Sequence, residues 1–155
     1  MTALPLPPGT VVSVNVAPRK GERKLPVAQA VLRAGHGIEG DAHAGSDRQV
    51  SLLAQESVSQ AAAAAVTELR PGDFGENLTL SGLDLASLSI GACLSVGSEA
   101  VLEISEIGKT CHEPCSIGRR LGECVMPTAG VFAKVLRGGL IVPGDEVRPA
   151  PTEDW

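Results

Sequence analysis

Apolar and polar residues alternate with a period of two over several short stretches of this chain, and clusters of glycine and proline separate them at short intervals. Residues 10–16 (TVVSVNV) predict a first strand, and the charged, breaker-rich residues 17–24 predict a surface loop after it. Residues 25–33 are again strand-like. Residues 35–45 then gather Gly35, Gly37, Gly40 and Gly45 around His36, Glu39, Asp41 and His43, a composition that lets backbone approach a ligand closely. Residues 48–53 (RQVSLL) return to strand. Residues 54–69, with five consecutive alanines, predict one long helix that Pro71 and Gly72 end. Further strands are predicted around 76–80, 93–96 and 100–107. Val131, Phe132, Val135 and Leu136 recur at helical spacing ahead of Gly138 and Gly139, which predicts a short helix and its C-terminal stop. Pro143, Gly144 and Asp145 turn the chain into a last short strand.

Composition sharpens this picture. Eighteen Gly and eleven Pro in 155 residues exceed the average of about 12% for the two together, which implies many turns and short elements and favours a β-rich fold. The aromatic residues are few, Phe74, Phe132 and Trp155, so the core is expected to consist of Val, Leu, Ile and Ala. The chain is long enough for one real core, and a single domain is expected over 1–155, with its body at about 9–148 and frayed ends. Thirteen Lys and Arg against eighteen Asp and Glu leave a net charge of −5, which argues against nucleic acid as a partner. No apolar run approaches the roughly 20 residues that span a bilayer, so no membrane partner is expected. The N-terminal MTALPLPPGT has no basic stretch and its apolar residues are broken by prolines, so a cytoplasmic location is expected. Cysteines there are kept reduced.

Candidate chemistry concentrates in residues 108–127 (GKTCHEPCSIGRRLGECVMP), which follow neither periodicity. Cys111, His112, Cys115 and Cys124 offer enough soft ligands for zinc, although the spacing is not that of a standard finger. Alternatively Cys111 is a thiolate, stabilised by Lys109, His112, Arg119 and Arg120 nearby in sequence. Arg119 and Arg120 fit a phosphate site or an exposed turn equally. Cys93, in a strand-like stretch, reads as a small buried hydrophobe, and His36 has no partner set by pattern. Asp41 and His43 suit a loop held by Asx turns or the polar wall of a cleft. Arg48 is either a solvated strand-edge residue or an anion clamp. Glu76 and Asn77 open a strand after a glycine turn and either cap it or join the same cleft.

Taken in order, GIEGDAHAG with RQVSLL, then PGDFGENL, the GKTCHEPC loop, GVFAKVLRGG and PGDEV resemble the MOSC family, named for the C-terminal domain of molybdenum cofactor sulfurase. The resemblance runs from about residue 12 to 147 and is nearest to short stand-alone bacterial members, which share the CHxxC and CVMP pieces. It implies a mostly β fold, a distorted β-barrel with one longer helix and one or two short ones. It also implies a molybdenum-linked role. Members are proposed to carry sulfur as a cysteine persulfide for metal–sulfur centres, and amidoxime-reducing relatives bind the molybdenum–pterin cofactor with a cysteine on the metal. On ISEIGKTC that cysteine matches Cys111, the candidate catalytic residue and metal ligand, supported by Lys109, His112, Cys115 and Cys124. Asp41, His43, Arg48, Glu76 and Asn77 match family motif positions and are expected to line the cofactor-binding cleft, with Arg48 on the pterin phosphate.

Nothing in these residues resembles a flavin or iron–sulfur domain, or the pyridoxal phosphate-dependent sulfurase domain behind the family name. Sulfur is therefore expected from a donor protein such as a cysteine desulfurase, and molybdenum cofactor enzymes or biosynthesis proteins are the expected recipients. The leading expectation is a protein that binds the molybdenum–pterin cofactor, carries persulfide sulfur on Cys111, or does both. Its rivals are a small molybdenum-dependent reductase of N-hydroxylated compounds that takes electrons from a separate donor, and a non-catalytic module with a structural zinc site.

Overall fold

The computed structural model describes residues 8–19, 24–46, 48–56, 58–59, 71–72, 74–83, 85, 88–107 and 130–150. Eleven strands occur among them: β1 (Gly9–Val16), β2 (Leu25–Val27), β3 (Ala30–Arg33), β4 (Gly37–Ile38), β5 (Val50–Ala54), β6 (Leu78–Ser81), β7 (Cys93–Val96), β8 (Ala100–Ile107), β9 (Val131–Arg137), β10 (Gly139–Ile141) and β11 (Glu146–Ala150). Seven of these close a barrel in the order β1, β11, β7, β8, β9, β5, β6 and back to β1. The closing contact joins Gly9 to Val147 and Thr10 to Glu146. β2 adds to the far half of β1 through Val14 and Val27. β10, β3 and β4 form a separate three-stranded sheet.

Alternation explains the wall of the barrel. β1 buries Gly9, Val11 and Ser13 and exposes Thr10 and Val12 between them, so one face meets the core and the other meets water. Leu52, Leu78, Leu80, Leu94, Leu102, Ile104 and Val147 fill the interior, in keeping with a core of aliphatic residues. Antiparallel pairing prevails, but β5 and β6 run parallel, with Leu52 beside Leu78 and Ala54 beside Leu80. A parallel pair needs a crossover, most often a helix. The segment for which a long helix is expected, 54–69, falls in that connection. Helical backbone follows β5 at residues 55–56 and 58–59, and the remainder of the predicted helix lies outside the described residues.

The short helix predicted at 131–136 is instead strand β9, paired with β8 on one side and with β5 on the other. Val131, Phe132 and Ala133 are buried in succession, as happens in a strand covered on both faces, and such a run mimics helical spacing. Nor do Gly138 and Gly139 stop a helix. A Cβ at Gly138 would collide with the carbonyl oxygen of Leu32, and Gly139 opens β10, pairing with Leu32. No helix occurs among residues 130–150. No helix among the described residues is long and apolar enough to cross a membrane.

Candidate functional site

The parallel pairing of β5 and β6 brings the residues just before each strand, Arg48, Glu76 and Asn77 among them, to one end of the barrel. Asn77 leads into β6. Its backbone N–H donates to Ser51 Oγ at 2.9 Å, its Oδ1 accepts the Ser51 N–H at 3.0 Å, and its Nδ2 donates to the carbonyl of Asn15 at 3.1 Å. One side chain thus ties β5, β6 and β1. Beside it a directed chain of hydrogen bonds runs from Ser13 Oγ to Asn15 Oδ1 (2.6 Å), from Asn15 Nδ2 to Thr79 Oγ1 (3.1 Å) and from Thr79 Oγ1 to Glu76 Oε2 (2.8 Å). The Phe74 N–H donates to the other Glu76 oxygen at 3.2 Å. Burial pushes the Glu76 carboxyl above its ordinary value, against the opposing hydrogen bonds from backbone N–H groups and from Thr79. Glu76 and Asn77 are both 0% exposed. They hold the frame of this end of the barrel together.

Asp41 and His43 come from the glycine-rich turn after β4, and the structure adds a partner that pattern alone did not reveal. Lys24, the last residue of the charged stretch expected at the surface, is 1% exposed. Its Nζ lies 2.7 Å from Asp41 Oδ1 and 3.0 Å from His43 Nδ1. Asp41 Oδ1 also accepts the Ala17 N–H at 3.2 Å, and Oδ2 accepts the His43 N–H at 3.1 Å. Burial alone would raise the Asp41 carboxyl, but the His43 and Lys24 contacts and the Lys24 charge outweigh it and hold it well below the ordinary carboxylate range. Lys24 is fixed through its backbone too. Its N–H donates to the carbonyl of Gly72 at 3.3 Å. Gly72 has φ +87°, and a Cβ there would strike the Lys24 carbonyl.

Arg48 follows this turn directly, its N–H donating to Ser46 Oγ at 3.2 Å while Ser46 Oγ donates to the His43 carbonyl at 2.6 Å. Its guanidinium meets Glu106 in a two-pronged pair, Nε to Oε1 at 2.9 Å and Nη2 to Oε2 at 2.8 Å, and lies over the Phe132 ring at 5.2 Å from the centroid. Glu106 reaches it because the register of β8 against β9 shifts between Ile104 and Glu106, a bulge that re-aims the strand end. Arg48 is therefore neither a plain solvated edge residue nor an unattended cation.

Of the remaining candidates, Cys93 lies buried in β7, in line with its structural reading, and His36 is exposed on a turn. Lys109, Cys111, His112, Cys115 and Cys124 lie outside the described residues, as do Arg119 and Arg120. The stretch that carries them leaves β8 at Ile107 and re-enters at β9, where Ile107 pairs with Val131, next to the Glu106 and Phe132 pair. No group of three or more His, Cys, Asp or Glu residues able to hold a metal occurs among the described residues. Sequence reasoning missed Lys24 and Glu106. Each is one charged residue among several in its segment, and only the fold singles it out.

The protein is thus a seven-stranded barrel with a polar, charge-paired cluster built from the turn after β4 and the residues before β5 and β6. The MOSC domain family matches residues 39–148, and the chain belongs to that family, which is associated with molybdenum cofactor-related function. Among solved structures, the YuaD protein of Bacillus subtilis is similar at a TM-score of 0.73 and 21% identity, over 90% of this chain and 94% of that one. YiiM of Geobacillus stearothermophilus is similar at 0.72 and 22%, over 92% of this chain and 75% of that one. YiiM of Escherichia coli follows at 0.69 and 19%, over 92% and 70%. These likenesses establish the fold. No curated protein matches the chain in sequence.

Proposed function

We propose that the protein binds the molybdenum–pterin cofactor at the end of the barrel marked by His43 and Arg48, carries sulfur as a persulfide on Cys111, or does both in sequence. One observation supports this most. The segment bearing Cys111 departs from the Ile107–Val131 pair, one step beyond the paired Glu106 and Phe132, and the Arg48 side chain reaches across to that same Glu106 and Phe132.

The described residues suit part of such a ligand. Arg48 is about one-third exposed and already oriented by Glu106 and Phe132, so little freedom is lost when it meets a phosphate. The His43 side chain is 29% exposed. Asp41 on one side and Glu76 and Asn77 on the other are closed off and serve as supports. When bound, the cofactor would supply a soft metal, for which a thiolate such as Cys111 is the natural ligand.

For the sulfur-carrying role, the Cys111 thiolate attacks the outer sulfur of a donor persulfide. The donor's S–S bond breaks, a new S–S bond forms at Cys111, and the donor leaves as a thiolate with no net redox change. Lys109 and His112 stabilise the charged form. Cys115 or Cys124 can then attack Cys111 Sγ, forming a disulfide and releasing the outer sulfur as hydrosulfide.

The test compares wild type with Cys111→Ala after incubation with a cysteine desulfurase and cysteine, and separately after expression without oxygen in a host that makes the cofactor. Cyanolysable sulfur and molybdenum are measured in each. Loss of either signal in the variant is expected. Retention of wild-type sulfur and wild-type molybdenum by Cys111→Ala would overturn the reading, and zinc bound in stoichiometric amount in place of molybdenum would redirect it to a structural site.

A further inference from the structure

The Lys24–Asp41–His43 cluster contains more order than a buried ion pair requires. Lysine has only donors to offer, so the 3.0 Å contact between Lys24 Nζ and His43 Nδ1 makes Nδ1 an acceptor. The competing arrangement, in which Nδ1 carries the proton and gives it to Asp41 Oδ2, spans 3.7 Å and lies outside hydrogen-bond range. Asp41 is already engaged by Lys24, by the Ala17 N–H and by the His43 N–H. The last of these fixes the His43 backbone relative to the same carboxylate that holds Lys24. The Lys24 and Asp41 side chains are 2% and 0% exposed, whereas that of His43 is 29% exposed. The Nδ1 edge of the ring therefore faces the buried Lys24–Asp41 pair, and Nε2 lies on the edge turned away from it.

We propose that Lys24 is a positioning residue that locks His43 in the Nε2–H tautomer, so that the imidazole presents a fixed N–H donor on the side turned away from the buried pair. Asp41 keeps Lys24 charged and in place, and Lys24 in turn dictates which ring nitrogen carries the proton. A donor fixed in this way suits an anionic oxygen, whether of a phosphate or of a metal-bound oxo group. In that clause alone the inference rests on the function proposed above.

The test reads the tautomer directly. Long-range 1H–15N correlation spectra of the 15N-labelled full chain, recorded at a pH above the imidazole range, distinguish Nε2–H from Nδ1–H, and His43→Gln identifies the His43 signals. The Nε2–H pattern is expected in wild type. In Lys24→Met, which keeps length and bulk but removes the donor, His43 is expected to move to the Nδ1–H form and donate to Asp41. An Nδ1–H pattern or an averaged mixture in wild type would overturn the proposal, as would an unchanged Nε2–H pattern in folded Lys24→Met. The wild-type spectrum decides the matter even where the variant does not fold. Because the readout involves neither sulfur nor molybdenum, failure of the proposed function leaves this result standing, and the reverse.

Discussion

A lysine and an aspartate with almost no exposure are tolerable only as a pair, since each charge removed from water needs a partner and a filled set of hydrogen bonds. Lys24→Met should therefore destabilise the fold by about 3–5 kcal/mol, because it leaves the Asp41 carboxylate buried without its counter-charge. Urea denaturation with an unchanged slope checks this, and a loss under about 1 kcal/mol would show the pair to be solvated in practice. The two buried carboxyls of this end have opposite pH signatures. Asp41 is depressed, so its contribution is complete above its ordinary value of 3.8 and is lost as pH falls below it. Glu76 is raised above its ordinary 4.5, so the folded state holds the proton more tightly than the unfolded one, and wild type loses stability as pH rises through that region. Glu76→Gln removes this loss. The stability of the variant relative to wild type should be greater at about pH 7 than at about pH 4, and a difference independent of pH would contradict the raised carboxyl.

At the scale of elements, strand identity depended on what lay beside each segment. Residues 100–107 and 93–96 were legible because alternation and β-branched residues coincide there, and the strands run over the same residues. Residues 25–33 were legible as extended chain but not as two strands, β2 and β3, which pair in different sheets. The opposite error, a helix predicted for β9, arises from burial on both faces, which no local pattern separates from a buried helical stripe. The site divides likewise. Asp41, His43, Arg48, Glu76 and Asn77 could be named from motif order, whereas Lys24 and Glu106 become visible only once distant segments meet. Gly138 tests how far the β9–β10 junction depends on close approach. Gly138→Ala should push β10 from β3, because the new methyl group meets the Leu32 backbone and not a flexible side chain. The expected cost is about 1–3 kcal/mol, with early amide exchange confined to Gly139–Ile141 and its partners, and a neutral substitution would show that the junction shifts freely.

At the scale of the whole molecule, the barrel is closed by the first and last described strands. β11 pairs with β7 through four residues from Val147 to Ala150 and with β1 at Gly9 and Thr10, and the closure is reinforced where the Val11 N–H donates to the Asp145 carbonyl at 2.8 Å. Without β11, β7 and the first residues of β1, Gly9 and Thr10, become bare edges, and the core loses Val147, which is 0% exposed. Long-range contacts of this kind bind local structure into one cooperative unit, so the loss is not confined to the seam. A chain ended after Asp145 should lose amide protection throughout, including in β8 and β9, which do not pair with β11. Hydrogen exchange read strand by strand makes the comparison. Native-like protection persisting in β8, β9 and β5 of the shortened chain would mean that those strands stand as an open sheet. The Arg48–Glu106 pair would then owe its geometry to the pairings of β5, β8 and β9 and not to closure. If protection collapses everywhere, the placement of Arg48 against Glu106 depends on a seam on another side of the molecule, and the site is a property of the closed barrel.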